Sequence, residues 1–184
     1  MLSVKRRRYS LIVILLLLAG CEAWNDLSPS GSDERPPVQA GTVGPSVGQI
    51  APEFTLSDSF GNPVALSSVL PTTKAVVLYY TMWCNICQEH MNDMRSTIIP
   101  AYPDVKYYAV DYVSGSVAGA RASEVYYGFD GSGITVLADV DTSVLALYYA
   151  SMGTTVVIDN TGVIRMNEDY RNGDNLKAVL GSLP

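Results

Sequence analysis

The stretch "KAVVLYYTMWCNICQEHM", Lys74 to Met91, decides the fold. Its first half is a continuous apolar, β-prone run behind a polar loop, which suits a strand buried on both faces. Its second half changes period. From Cys84 onward Ile86, His90, Met91 and Met94 recur roughly on one helical face, and Pro100 marks the end of that helix. Two cysteines two residues apart therefore sit where a central strand gives way to a helix. They could be a redox pair, two ligands of a metal site, or buried structural thiols.

Outward from this point, strands and helices alternate. Upstream, "APEFTLSDSFGNPVALSSVL" alternates at Phe54 and Leu56, turns at "DSFGNP" and alternates again at Val64 and Leu66, a short β-hairpin. Downstream, "VKYYAVDYV" (105–113) reads as a strand, "SVAGARASEVYYG" as a helix, "GITVLAD" as a short strand and "TSVLALYYA" as a helix. "TTVVIDNTGVIRM" reads as a hairpin turning at Asn160–Gly162, and "GDNLKAVLGSL" as a closing helix. The pattern predicts an α/β domain with a mixed sheet. No internal repeat is present. Four tyrosine pairs, Tyr79–Tyr80, Tyr107–Tyr108, Tyr126–Tyr127 and Tyr148–Tyr149, read as strand and helix packing, with an exposed docking patch as the alternative.

The N-terminus carries a different signal. "KRRRYSLIVILLLLAGC" runs from a basic head through Leu11–Leu18 to small residues and Cys21. The apolar run is shorter than the roughly 20 residues of a spanning helix and fits a cleaved export signal over residues 1–20. "LAGC", Leu18 to Cys21, resembles the lipobox of bacterial lipoproteins, which implies acylation of Cys21 and a membrane anchor. Glu22 after it favours the outer membrane, on the periplasmic face. Residues 21–48, with "SPSGSDERPPVQAGTVGPSVG", read as a flexible tether, and residues 49–184 as the folded domain.

Residues 1–20 hold four of the 12 positive charges and none of the 18 negative ones, so the remainder carries 8 and 18, a balance of −10. With no basic run left, nucleic acid is not expected as a partner. With Cys21 assigned to lipid, only Cys84 and Cys87 remain, so a multi-bridge disulfide framework is excluded. Export would place them where thiols can be oxidised. A zinc site needs about four ligands, whereas Cys84, Cys87 and His90 are three on one helix and the chain has no second histidine.

Several pieces together, "APEFTL", "DSFGNPVALS", "TMWCNIC" and "TTVVIDNTGVI", resemble thioredoxin-fold proteins of the redoxin type, near the membrane-anchored TlpA/ResA group. The resemblance spans about residues 48–184. It implies a thioredoxin-like fold with an N-terminal β-hairpin extension. It also implies thiol–disulfide exchange with protein thiols or disulfides and an upstream redox partner, carried by Cys84 and Cys87 without a cofactor. The local physics agrees: a thiol at a helix N-terminus meets unpaired N–H groups that favour the thiolate, so Cys84 is expected to have the lower pKa and to attack, and Cys87 to resolve. Trp83 is expected to shield the site and contribute to the partner surface, or else to pack.

Two departures from the resemblance bear on the site. A cis-proline precedes the strand matching "TTVVID" in such proteins; here that position is Gly153, after Met152, so the peptide is expected to be trans and the partner groove altered. A glutamate commonly stands three residues after the second cysteine; here it is His90, which could move the proton that exchange requires, or be an ordinary half-buried helix residue. The buried aspartate of thioredoxin itself is replaced by Leu78. A thiol peroxidase is the enzymatic alternative, because Thr81 stands three before Cys84, although Val77 occupies the proline of that pattern and no arginine adjoins it. A redox-inactive docking module is the non-enzymatic one.

Overall fold

The computed structural model describes residues 38–184. The export signal, Cys21 and most of the tether lie outside the described residues. The strands are β1 (Thr55–Asp58), β2 (Pro63–Ala65), β3 (Ala75–Thr81), β4 (Val105–Asp111), β5 (Ile134–Ala138), β6 (Thr154–Asp159) and β7 (Ile164–Asp169). They form one seven-stranded mixed sheet in the order β2-β1-β5-β4-β3-β6-β7. The helices are α1 (Leu66–Val69), α2 (Asn85–Asp93), α3 (Ile99–Ala101), α4 (Val117–Tyr126), α5 (Ser143–Leu147) and α6 (Asp174–Ser182). A π-helical turn over Met94–Ile98 joins α2 to α3, so the helix continues one residue past Pro100, and the irregular turn before it accommodates a residue that has no N–H to give.

β3 is buried along its whole length, as its uninterrupted apolar run requires. It pairs parallel with β4 and antiparallel with β6, so the strand direction changes beside it. Alternation along β3 divides the core in two. Ala75, Val77 and Tyr79 face a layer containing Cys87, Met91, Met94, Leu176 and Leu180. Val76, Leu78 and Tyr80 face Phe54, Leu66, Val144 and Tyr148. Of the tyrosine pairs, Tyr79, Tyr80, Tyr107, Tyr108 and Tyr148 are core residues, whereas Tyr126 and Tyr149 are exposed.

The two expected hairpins are β1–β2 and β6–β7, the latter with a register shift between Val157 and Ile158. The domain starts earlier than Gln49. The Ile50 N–H donates to the Thr42 carbonyl (2.9 Å) and Gly48 N–H to that of Ile164 (2.9 Å). Asn167 Nδ2 donates to the Pro45 carbonyl (2.8 Å). Residues 42–48 therefore belong to the fold and not to the tether: their Gly and Pro content reflects a turning path beside β7, a loop ordered by long-range bonds that local composition does not report.

Candidate active site

The site lies at the C-terminal end of β3, where the flanking strands run in opposite directions. Open α/β sheets bind ligands outside the carboxyl ends of strands where the strand order reverses, and here β4 and β6 continue the sheet on opposite sides of β3. Thr81 ends the strand, buried, and its Oγ1 accepts the Trp83 N–H (3.0 Å). That bond helps turn the chain at Trp83 into the left-handed region, φ +61°. A non-glycine residue held there costs roughly 1–3 kcal/mol and persists only where surroundings over-determine it. They do so here: the indole N–H donates to buried Asp111 (2.8 Å), and the ring stacks on Tyr127 with centroids 5.4 Å apart and planes 4° from parallel.

This turn delivers Cys84 to the N-cap of α2 in extended conformation, φ −72° and ψ 167°. Its Sγ accepts the Cys87 N–H (3.2 Å) and lies 2.7 Å from Cys87 Sγ. Cys84 is partly exposed and Cys87 is 0% exposed, so an incoming disulfide meets Cys84. The sulfurs lie within hydrogen-bond distance, either able to donate, and titrate as a pair. Burial pushes the Cys84 thiol up, and donation to Cys87 adds to this, against the Cys87 and Ile86 N–H groups. Burial also works to raise Cys87, but hydrogen bonds from Cys84, the Met82 and Cys84 backbone and the Thr81 hydroxyl outweigh it and leave Cys87 lowered. The depression expected at Cys84 is not found there: in this coupled pair the lowered direction falls on Cys87. When the inner sulfur of the pair is the ionised one, it can accept the outer proton as the outer sulfur attacks.

Trp83 is 5% exposed, so its ring is part of the core and not of a partner surface. The apolar side chains exposed beside Cys84 are Met82 (45%) and Ile86 (52%). Met152 is half-buried against the α2-side core. Gly153 follows a trans peptide at φ +86°, buried, and its backbone is committed within the domain: its N–H donates to the Tyr80 carbonyl (3.0 Å) and its carbonyl accepts from Tyr170 N–H (2.9 Å). His90 lies one turn beyond Cys87, and its Nδ1 is 3.0 Å from the Tyr79 hydroxyl. Desolvation holds its pKa below the ordinary value, against the opposing pull of Glu89, Asp93, the Arg171 carbonyl and Asp169.

Three site residues escaped sequence reasoning. Asp111 is in register with Thr81 across β3–β4, and its signal was an acid ending a buried strand. Tyr79 shares strand parity with Val77, which places it under α2. Tyr170, whose hydroxyl donates to Asp93 (2.5 Å), packs on His90 with ring centroids 4.6 Å apart and had no local signal.

The AhpC/TSA family model matches residues 47–167, well over half of the chain. No curated protein sequence gives a significant match. Among solved structures, a candidate protein disulfide isomerase from Bacteroides thetaiotaomicron superposes with a TM-score of 0.61 at 22% identity, covering 74% of this chain and 86% of its own. A secreted Mycobacterium tuberculosis disulfide oxidoreductase homologous to E. coli DsbE gives 0.54 at 21%, covering 71% and 96%. The peroxidoxin BcpB of M. tuberculosis gives 0.60 at 20%, covering 75% and 97%. At these identities the likeness establishes a thioredoxin-like fold.

Proposed function

The chain belongs to the AhpC/TSA family, and on that premise we propose that it is a thiol–disulfide oxidoreductase acting on protein disulfides outside the cytoplasm. The observation that carries this reading is one accessible sulfur, Cys84, at a helix N-cap 2.7 Å from one buried sulfur, Cys87. Cys84 Sγ attacks a partner disulfide as its proton passes to Cys87. One partner sulfur leaves as thiolate, and Cys84 is joined to the other. Cys87, once deprotonated, attacks Cys84 Sγ, closing the Cys84–Cys87 disulfide and releasing the second partner thiolate. Two electrons have moved to the partner; the reverse sequence oxidises a dithiol. Met82 and Ile86 offer the partner an apolar contact beside Cys84. An upstream redox partner resets the pair.

The test is reduction of insulin disulfides by the reduced protein. Wild type should accelerate it, Cys84→Ser should abolish it, and Cys87→Ser should accumulate a mixed disulfide through Cys84 whose attached protein names the substrate. Absence of acceleration together with no trapped adduct refutes the reading. Thiol peroxidase activity is the second reading, favoured by the family and by the likeness to a peroxidoxin. Against it, the Thr81 hydroxyl is engaged by Trp83 N–H and turned toward Cys87, and among the described residues no arginine is hydrogen-bonded to either sulfur. Rapid consumption of hydrogen peroxide with insulin untouched would decide for it. For location, we read residues 1–20 as a lipoprotein signal peptide removed before Cys21, which is acylated and holds the protein at the periplasmic face of a membrane. Cys21→Ser should move it out of the membrane fraction.

A further inference from the structure

At the β7 edge of the sheet two loops meet that the redox pair does not use. Asn167 on β7 donates through Nδ2 to the carbonyls of Pro45 (2.8 Å) and Tyr148 (3.0 Å), so the segment leading into the domain lies beside the loop that follows α5. Tyr148 is buried, and its hydroxyl donates to the Pro52 carbonyl (2.7 Å). The exposed apolar side chains of the two loops are Val43 (69%), Val47 (57%), Leu147 and Tyr149 (85%). Neither loop carries a charge: residues 38–52 and 142–158 contain no Asp, Glu, Lys, Arg or His, in a chain that is 16% charged. Glu53 follows the first run, Asp159 ends the second and is paired with Arg165 (2.6 Å), and Glu168 and Asp169 follow Asn167, so the charges lie at the borders. Tyr149 is in the left-handed region, φ +48°, one residue past the C-cap of α5. Glycine is the usual residue there, because it has no Cβ to strain. A strained backbone that holds an aromatic ring in solvent points to a contact made outside the domain.

We infer that this patch is the face on which the domain rests against a lipid surface. The inference goes beyond thiol exchange and rests on the acylation of Cys21 proposed above. Three observations select lipid as the occupant. The first loop is where the chain enters the domain: Val38, also exposed, opens the described residues, and seventeen residue steps lead back from it to Cys21. At no more than about 3.6 Å per step, the patch stays within roughly 60 Å of the acylated residue. Such confinement corresponds to an effective concentration on the order of millimolar, so apolar contacts too weak to hold a free protein on a membrane are engaged once it is anchored. The patch also joins aliphatic side chains to a tyrosine, whose ring suits the acyl boundary and whose hydroxyl suits the headgroups. Finally, it is neutral in a chain of net charge −6, so contact through it keeps the carboxylates away from anionic headgroups. Tyr148 belongs to the core on one side of the sheet, whereas Cys84 packs against the core on the other. A domain resting on this patch therefore leaves the redox pair clear of the lipid and open to protein partners.

The test is hydroxyl-radical footprinting, read by mass spectrometry, of the acylated protein held in phosphatidylcholine vesicles and of Cys21→Ser mixed with the same vesicles. Tyr126, 82% exposed on α4 at the opposite side of the sheet, is the internal control for Tyr149. Tyr149 should be modified about threefold or more slowly in the acylated protein than in Cys21→Ser, while the Tyr126 rates agree within about 1.5-fold. The exposed double variant Val43→Ser/Val47→Ser, still acylated, should raise the Tyr149 rate about twofold or more and leave insulin reduction unchanged. Equal Tyr149 rates in the acylated protein and Cys21→Ser would overturn the lipid contact. So would protection that grows with the protein-to-lipid ratio, which would give the patch to a second copy of the chain, or protection of Tyr149 that the double variant does not weaken. An unmodified mass at Cys21, or sedimentation of Cys21→Ser with the vesicles, refutes the anchor and with it the reason for a lipid occupant. Insulin reduction by the wild type is a separate readout, so loss of the patch and loss of the oxidoreductase function are told apart.

Discussion

Asp111 should be the residue on which the geometry before Cys84 depends. It is 2% exposed and accepts three hydrogen bonds: Trp83 Nε1–H at 2.8 Å on Oδ2, and the Val113 and Ser114 N–H groups at 3.0 Å each on Oδ1. Asp111→Ala removes all three. Val113 and Ser114 lie near enough to solvent for water to replace part of their loss, about 0.5–1 kcal/mol each. The indole N–H is buried and loses a bond to a charged acceptor, about 1.5–3 kcal/mol. The expected total is about 2.5–5 kcal/mol. Asp111→Asn separates the two parts. It keeps an oxygen for Val113 and Ser114 but sets an NH₂ against the indole N–H, so about 2–3 kcal/mol should be lost. Of the contacts left to the Trp83 ring, stacking on Tyr127 is worth about 0.5–1.5 kcal/mol, comparable to the roughly 1–3 kcal/mol that its left-handed backbone costs, and the Thr81 bond holds only the backbone N–H. Both variants should therefore loosen the turn and slow attack by Cys84 on 5,5′-dithiobis(2-nitrobenzoate), read as the first release of thionitrobenzoate. Urea unfolding followed by circular dichroism measures the stability change. Losses below about 1 kcal/mol for both variants, or wild-type attack rates in Asp111→Ala, would refute the assignment.

Gly153→Ala should cost about 1–2 kcal/mol, seen as a fall in Tm of roughly 3–8 °C, because φ is +86°. A methyl there meets no atom within 4 Å, so an unchanged Tm would show that the loop relaxes. Asp159 gives an acid limb. Burial alone would raise its carboxyl, but bonds from Thr161, Val163 and Arg165 leave it lowered. A depressed folded pKa contributes stability above the unfolded value, about 3.9, and loses it as pH falls through the folded one. Wild type should therefore lose more stability than Asp159→Asn below about pH 4, and parallel curves in acid unfolding would contradict this.

What the sequence determined by itself is what local period and chemistry encode. A seven-residue apolar run made β3 a central strand, and the change to helical spacing at Cys84 put that cysteine at the N-cap of α2. The turn residues marked both hairpins, and cysteine arithmetic left one pair for chemistry. Each signal lies within a few residues, where strand alternation and helix rise dictate neighbours. Only the tertiary structure decided which way the flanking side chains face. Trp83 turns inward because Asp111, 28 residues on, comes into register beside Thr81. Tyr79 reaches His90 because α2 packs on the odd-numbered face of β3, and Tyr170 covers that histidine because β7 lies two strands from β3 through β6. The lowered direction falls on Cys87 and not on Cys84 because the two sulfurs converge to 2.7 Å and titrate as one coupled pair. Such convergence depends on sheet order and helix docking, which are long-range outcomes of packing that no periodicity in the chain records.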